Sequence, residues 1–326
     1  MANIAPSQPH VIILIPAFND WAALEKLLDL IHQTNLAAIT RLEVLIVDDY
    51  STQPPHDSLR YQTYQKLERV SVLRLMRNLG HQRAIAVGLS YVYHHLKGDM
   101  VVVMDGDGED NPFEIERLLD TSMKLQTAKI IFARRSKRSE SFVFKISYYV
   151  YKELYALLTG KKIGVGNFSL IPISLLNNVV VISEIWNHYS SGIYRSKIPL
   201  VEVDVPRAKR LDGKPKMNFV SLVTHGLSSI AVYGDVVGTR ILLSTGLVAI
   251  FLSLLLGLVV IIRLFTDWAI PGWATYVSGL LILSIFQLIL IGTVFSMIIL
   301  SARNQSSFIP ARDYELFVDD FYPLTQ

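Results

Sequence analysis

Between His10 and Ala133 the chain alternates short apolar runs with stretches of helical periodicity. His10 to Ile15 is apolar and stops at Pro16-Ala-Phe-Asn-Asp20, after which Leu24, Leu27, Leu28 and Ile31 fall on one face of a helix from Trp21 to His32. Leu42 to Val47 is a second run, closed by Asp48-Asp49-Tyr50-Ser51. Val70 to Leu75 is a third, followed by Asn78-Leu79-Gly80 and a helix from His81 to about Leu96. Val101 to Met104 is the fourth and opens into Asp105-Gly-Asp107-Gly-Glu109-Asp110, with helical spacing from Phe113 to Leu125 and a further strand at Ile130 to Ala133. Runs this short, bounded by turn residues, read as buried strands. Strands that alternate with helices predict an α/β fold with a mostly parallel sheet covered on both faces. Such sheets bind ligands beyond the carboxyl ends of their strands, where strand order switches. The turns at 16–20, 48–51, 78–81 and 105–109 all share that edge.

The pattern changes after Ala133. Phe142 to Leu158 is rich in Phe, Tyr, Leu and Val with Lys145 and Lys152 on one face, and Asn218 to Val232 sets Phe219, Val223, Leu227 and Ile230 on one stripe. Both predict amphipathic helices at a membrane interface, with packed core helices as the alternative. No charged residue occurs from Ile241 to Ile262 or from Ala274 to Leu300, each longer than the ~20 residues that cross a bilayer as a helix. Helices apolar on every face would need a much larger protein around them to be buried. The link from Arg263 to Trp273 is short and carries Trp268 and Trp273, as expected at a membrane surface. The expected organisation is a cytosolic domain at 1–216 with an interfacial helix at about 141–158, a juxtamembrane amphipathic helix at 217–239, a two-helix transmembrane hairpin at 240–302, and a cytosolic tail at 303–326 that returns toward the first domain through Tyr314 to Val318.

Composition sharpens this reading. The chain has 326 residues, 51% of them apolar, and a mean hydropathy of +0.36, with the excess concentrated in the two uncharged stretches. Its net charge is +3, and the basic residues lie mostly before Arg240 or after Arg303. The positive-inside rule then places both termini and the large domain in the cytoplasm, leaving only the short link outside. No basic segment precedes Val11 to Ile15, so no cleaved signal peptide is expected. The absence of cysteine excludes a disulfide framework and thiolate chemistry.

Candidate chemistry centres on Asp105, Asp107 and Glu109, carboxylates at alternate positions where a strand ends. Glycines 106 and 108 let the backbone bend closely. Acids this close repel unless a cation neutralises them, which points to a Mg²⁺ or Mn²⁺ site with room for substrate phosphates. A calcium loop of the EF-hand type is opposed by Asp110 where Gly is needed, by Pro112 and by the preceding strand. A bare acidic turn is the plain alternative, as helix capping is for Ser51 and Asn78. Farther on, Ala133-Arg-Arg-Ser-Lys-Arg138-Ser-Glu-Ser141 is a basic cluster. Gly164 to Leu170 and Arg207 to Lys216 are polar, turn-rich segments able to close over a phosphate.

In order, Pro16-Ala-Phe-Asn-Asp20, Val47-Asp-Asp-Tyr-Ser51, Arg77-Asn-Leu-Gly80 and Asp105-Gly-Asp107-Gly-Glu109-Asp110 resemble the second family of glycosyltransferases, whose fold is called GT-A. With the basic cluster, Gly166-Asn-Phe-Ser169, Arg207 to Lys216 and the two uncharged stretches, about residues 10 to 303 are similar to polyprenyl-phosphate glycosyltransferases of the GtrB or dolichol-phosphate mannose synthase type. The resemblance implies that Pro16, Ala17, Phe18 and Asp20 line a nucleotide, that Asp48 meets its base or ribose, and that Asp105 with Gly106 touches it. Asp105 and Asp107 would be the catalytic acids, with Asp107 and Glu109 on Mg²⁺ or Mn²⁺. Arg135, Arg138 and Ser141, together with Arg207 and Arg210, would take the acceptor phosphate. The chain departs from the family at Asp20, more often Glu, at Glu109, often Gln, and at Ala133, which replaces the Gly of a G-x-R-x-x-R pattern. Relatives also often read Gly-Asp-Phe-Arg where Gly166-Asn167-Phe168-Ser169 stands, an acid and a base lost together as an exchanged ion pair would be.

The implied activity is inverting transfer of one sugar, glucose from UDP-glucose, to polyprenyl phosphate at the cytoplasmic face of a bacterial plasma (inner) membrane. The implied partners are the nucleotide sugar, the polyprenyl phosphate and the bilayer, with a homo-oligomer left open and no nucleic acid. Two readings compete. A processive polysaccharide synthase is opposed by the lack of a Gln-x-x-Arg-Trp signature and by having only two membrane stretches. A catalytically silent membrane scaffold or sugar-nucleotide sensor draws support from Asn167.

Overall fold

The computed structural model describes residues 9–34, 39, 41–56, 59, 64–135, 142–161, 164–212, 219–266, 268, 270, 272–304 and 308–324. They form two compact units, one of Met1–Tyr149, Ile163–Val232 and Ser307–Gln326, the other of Val150–Lys162 and Tyr233–Ser306.

The first unit is built on a sheet of β1 (His10–Ala17), β2 (Arg41–Asp48), β3 (Arg69–Leu75), β4 (Met100–Val103), β5 (Ile130–Arg135), β6 (Ser169–Pro172), β7 (Leu200–Val205) and β8 (Val318–Pro323), in the order β7-β5-β6-β4-β1-β2-β3-β8. β1 pairs in parallel with β2 and β4, β2 with β3, and β5 with β7. β6 runs antiparallel between β4 and β5, and β8 antiparallel along β3. The sheet is thus mostly parallel, as the alternating pattern predicts.

Helices cover both faces. On one face Val11, Ile13 and Ile15 pack in a core with Leu24, Leu28 and Ile31 of α1 (Trp21–Gln33). On the other, Ile12 and Leu14 pack with Ile85, Leu89 and Val92 of α2 (His81–His95). Alternation along a strand sends successive side chains to opposite faces, so burial on both faces explains the unbroken apolar run of β1. A 3₁₀ turn at Pro112–Glu114 leads into α3 (Ile115–Lys124), which therefore starts later than its apolar spacing suggests.

Two strands depart from the sequence reading. Ser169 and Leu170, read there as the end of a polar turn, open the buried strand β6 (Ser169–Pro172), because both pair with β4 on one side and β5 on the other. The tail, expected to return toward the first domain through Tyr314 to Val318, supplies a strand not read from the sequence, β8 at the sheet's edge. The first unit also contains α5 (Ile173–Val180), α6 (Tyr189–Ser196) and α7 (Phe219–Ala231), and α4 (Phe142–Thr159) runs from the first unit into the second. α7 exposes Val220, Val223 and Leu227 along one face.

The second unit holds α8 (Gly234–Phe265) and α9 (Trp273–Asn304), both long and apolar enough to cross a membrane. They form an antiparallel hairpin in which Gly238 abuts Ile299 and Gly292 approaches Leu242 and Thr245. Small residues there let the helix backbones come close. Arg240 donates to the carbonyl of Leu157 near the end of α4 (2.6 Å), a cation placed where a helix exposes its last carbonyls.

Candidate functional site

Register brings the polar turns together. Ala17 pairs with Asp48 across β1 and β2, while Leu14 pairs with Val103 across β1 and β4. β1 and β2 therefore end level, while β4 ends opposite Leu14, three residues short of the end of β1, so that the acidic turn begins beside Pro16 and Ala17 at the point where the order reverses and the three turns share one rim.

The turns after β1 and β2 are stitched to each other. The N–H of Asn19 donates to Ser51 Oγ (2.9 Å), and Asn19 Oδ1 accepts from the N–H of Thr52 (2.9 Å) and of Gln53 (3.3 Å). Asn19 has φ of 49°, a left-handed conformation that Asn tolerates better than most residues. Asp48, nearly buried, accepts from the N–H of Ser51 (2.9 Å). Its neighbour Asp49 reaches the next turn, accepting from the N–H groups of Leu79 (2.6 Å) and Gly80 (2.8 Å). Burial raises the pKa of Asp49 and those two bonds oppose the shift. Phe18 and Tyr50 remain exposed on the rim, and Pro16 and Ala17 end β1 beneath them.

The acidic turn after β4 is shaped by its own last member. Asp110, fully buried, accepts from the N–H of Asp105 (2.9 Å), and Asp107 accepts from that of Glu109 (2.9 Å). Gly108 has φ of +80° and lies against Leu211, so a side chain there would be both strained and obstructed. Gly106 sits over Ile15 and the carbonyl of Pro16, where a Cβ would come within 3.2 Å.

Residues 207–212 lie along this turn as a strap. The N–H groups of Ala208 and Leu211 donate to the carbonyls of Glu109 (3.1 Å) and Asp107 (3.0 Å). Arg207 pairs with Glu109, and Arg210 bridges Asp107 (2.9 Å) and Asp20 (3.1 Å). The two arginines, expected at the acceptor phosphate, are thus found on the carboxylates of the acidic turn and of Asp20. Arg138 and Ser141 lie outside the described residues, as does the side chain of Arg135.

On the opposite flank Asp105 Oδ1 receives two donors, His81 Nε2 (3.0 Å) and Asn167 Nδ2 (3.2 Å). Gln82 fixes the amide of Asn167 by donating to its Oδ1 (3.2 Å), and Gln82 is itself held by the N–H of Tyr189 (2.6 Å). Desolvation opposes the charged form of His81, but Asp105, with Asp107 and Asp110 beyond it, outweighs that and raises its pKa.

The donor set suits a divalent cation. Asp107 has its pKa raised by burial and by the charges of Asp105 and Glu109, against the pull of the Glu109 N–H and Arg210, and a cation relieves the same repulsion. Hard carboxylate oxygens match Mg²⁺ or Mn²⁺. In this arrangement Asp107 and Glu109 face the strap arginines. The group of ligand-type side chains with atoms within 4.8 Å of one another, among the described residues, is His10, Glu43 and Glu68 at the far edge of the sheet.

Sequence reasoning did not single out Asp110, His81 or Gln82. Asp110 carried a signal, since a third aspartate directly after the alternating acids has no ligand position left to fill. His81 and Gln82 carried none beyond opening a helix.

Comparison with known proteins places the family and the fold. The model of the family described as Glycosyl transferase family 2 matches residues 12–178. The uncharacterized glycosyltransferase YkoT of Bacillus subtilis is 24% identical over 98% of this chain and 95% of its own. An undecaprenyl-phosphate 4-deoxy-4-formamido-L-arabinose transferase of Photorhabdus laumondii is 26% identical over 65% of this chain and 64% of its own. Among solved structures, glucosyl-3-phosphoglycerate synthase from Mycobacterium tuberculosis, in complex with Mn²⁺, UDP-glucose and phosphoglyceric acid, superposes with a TM-score of 0.50 at 14% identity, over 71% of this chain and 80% of that one.

Proposed function

The chain belongs to glycosyl transferase family 2, and from that premise we propose that it transfers a single sugar, glucose from UDP-glucose, to polyprenyl phosphate at the cytoplasmic face of a membrane. The observation that carries this reading is the acidic turn at the switch point of the sheet, in one chain with two helices of membrane-crossing length. The Photorhabdus relative, named for transfer to undecaprenyl phosphate, supports the acceptor class. The UDP-glucose and Mn²⁺ of the mycobacterial enzyme support the donor and the cation.

In this account Pro16, Ala17, Phe18, Asp20 and Asp48 receive the nucleoside, and Asp105 with Gly106 orients the rest of the donor. Asp107 and Glu109 hold Mg²⁺ or Mn²⁺, which when bound offsets the charge of the departing nucleoside diphosphate. Arg210 and Arg207 stand beside the same carboxylates and offer planar, bidentate donors to phosphate oxygens. A phosphate monoester has its second pKa near ~6 and is largely a dianion at neutral pH, so it needs no strong protein base. Its oxygen forms the new bond to the anomeric carbon as the bond to the diphosphate breaks and the electron pair leaves with that diphosphate. Displacement from the opposite side inverts the configuration. Arg135, Arg138 and Ser141 complete the acceptor site.

Asp107→Asn tests the assignment. It is expected to abolish transfer and to remove the Mn²⁺-dependent part of the protection that UDP-glucose gives against thermal unfolding, since bound ligand stabilises by mass action. Full activity in this variant would refute the role given to the acidic turn.

A further inference from the structure

The strap arginines stand on one flank of the acidic turn, paired with Glu109, Asp107 and Asp20. A phosphate beside the donor sugar can also draw a donor from the other flank, where Asp105, His81 and Asn167 lie. His225 of α7 is linked to that flank through His188, on which it stacks and whose neighbour Tyr189 donates to Gln82, the residue that holds Asn167. It is half-buried, makes no hydrogen bond among the described residues, and stacks on His188 with ring centroids 4.6 Å apart.

The helix that carries it suits a lipid substrate. At 3.6 residues per turn, His225 falls on the side of α7 away from the exposed Val220, Val223 and Leu227, together with buried Gly226 and Ser229. One face is thus apolar and open while the other presents an imidazole to the protein. Behind it His188 is anchored, its Nδ1 accepting from the N–H of Ser191 (3.3 Å), and Ser191 Oγ meets Ser229 Oγ (2.7 Å).

We propose that His225, backed by His188, contacts the phosphate of the lipid acceptor and is a further acceptor-binding residue. Burial, which lowers the pKa of both imidazoles, keeps His188 and His225 neutral in the free site, with the charge of His81 adding to the effect on His225 and Asp105 opposing it. A neutral imidazole donates one N–H to a phosphate oxygen and can take a proton as the dianion arrives. The proposal rests on the polyprenyl-phosphate reading given above.

The test uses the full-length purified protein with radiolabelled UDP-glucose as donor and farnesyl phosphate as acceptor. His225→Ala is expected to raise the KM for farnesyl phosphate by about tenfold, the loss of one hydrogen bond to a charged group, with the donor KM and the kcat at saturating acceptor unchanged. His225→Gln keeps an N–H donor and is expected to recover most of that loss. An unchanged acceptor KM in His225→Ala overturns the proposal, as does a donor KM that rises alongside it, the mark of a disturbed α7. In either case, lipid-linked product from the wild type leaves the transferase reading standing. Wild-type protein that glycosylates no prenyl phosphate overturns both.

Discussion

Asn167 stands where the family resemblance implies an acid, and its contacts show what an amide does there. Its Nδ2 donates to Asp105 (3.2 Å) while its Oδ1 accepts from Gln82. A carboxylate has no proton to donate, so Asn167→Asp would set two negative groups side by side. Like charges about 4 Å apart repel by about 4 kcal/mol at an effective dielectric of about 20, enough to disturb Asp105 and to disfavour an anionic donor. Steady-state kinetics of Asn167→Asp should show donor kcat/KM reduced by about tenfold or more; equal or higher activity would mean that the amide is incidental. The acidic turn itself was legible because its signal is local, alternating carboxylates and glycines at the end of an apolar run. Asp49, His81 and Gln82 were not, because each acquires its role from a partner far along the chain: Leu79 and Gly80, Asp105, and Asn167 with Tyr189.

The same division between local and distant signals holds for the elements. β1 to β5 are apolar runs bounded by turns, and sequence alone places them. β8 carries two adjacent aspartates and ends in proline, Val318-Asp-Asp-Phe-Tyr-Pro323, as suits an edge strand, and its partner β3 precedes both membrane-length helices in sequence. Nothing in its own composition names that partner. The entry to α6 supplies a prediction at this scale. Neutral His188 caps the helix through Nδ1 and is buried, and burial, with the charge of His225, lowers its pKa to about 3. The unfolded chain therefore binds a proton below about 6.5 that the folded chain refuses, so stability is full above that pH and falls progressively as pH drops toward 3. His188→Asn keeps a capping oxygen and removes the titration. Between pH 7 and pH 5 the Tm of the detergent-solubilised wild type should fall further than that of the variant, and equal falls would place the acid sensitivity elsewhere.

At the scale of the whole molecule, two helices with long uncharged stretches, flanked where they meet by Trp268 and Trp273, are read as a hairpin that crosses the bilayer twice. The proposed orientation, with both termini inside, rests on the distribution of basic residues. Because the chain has no cysteine, Thr266→Cys introduces a single thiol. An impermeant reagent added to intact cells should label it, whereas labelling of a cysteine placed at Thr52 instead would reverse the orientation. The central claim is that this glycosyltransferase delivers one sugar to a lipid phosphate, and the most direct measurement is the fate of the sugar. Membranes containing the protein, given radiolabelled UDP-glucose, polyprenyl phosphate and Mn²⁺, should yield label that partitions into organic solvent and is released by mild acid as a monosaccharide. Label found in a polymer, or no transfer from any nucleotide sugar, would contradict the account.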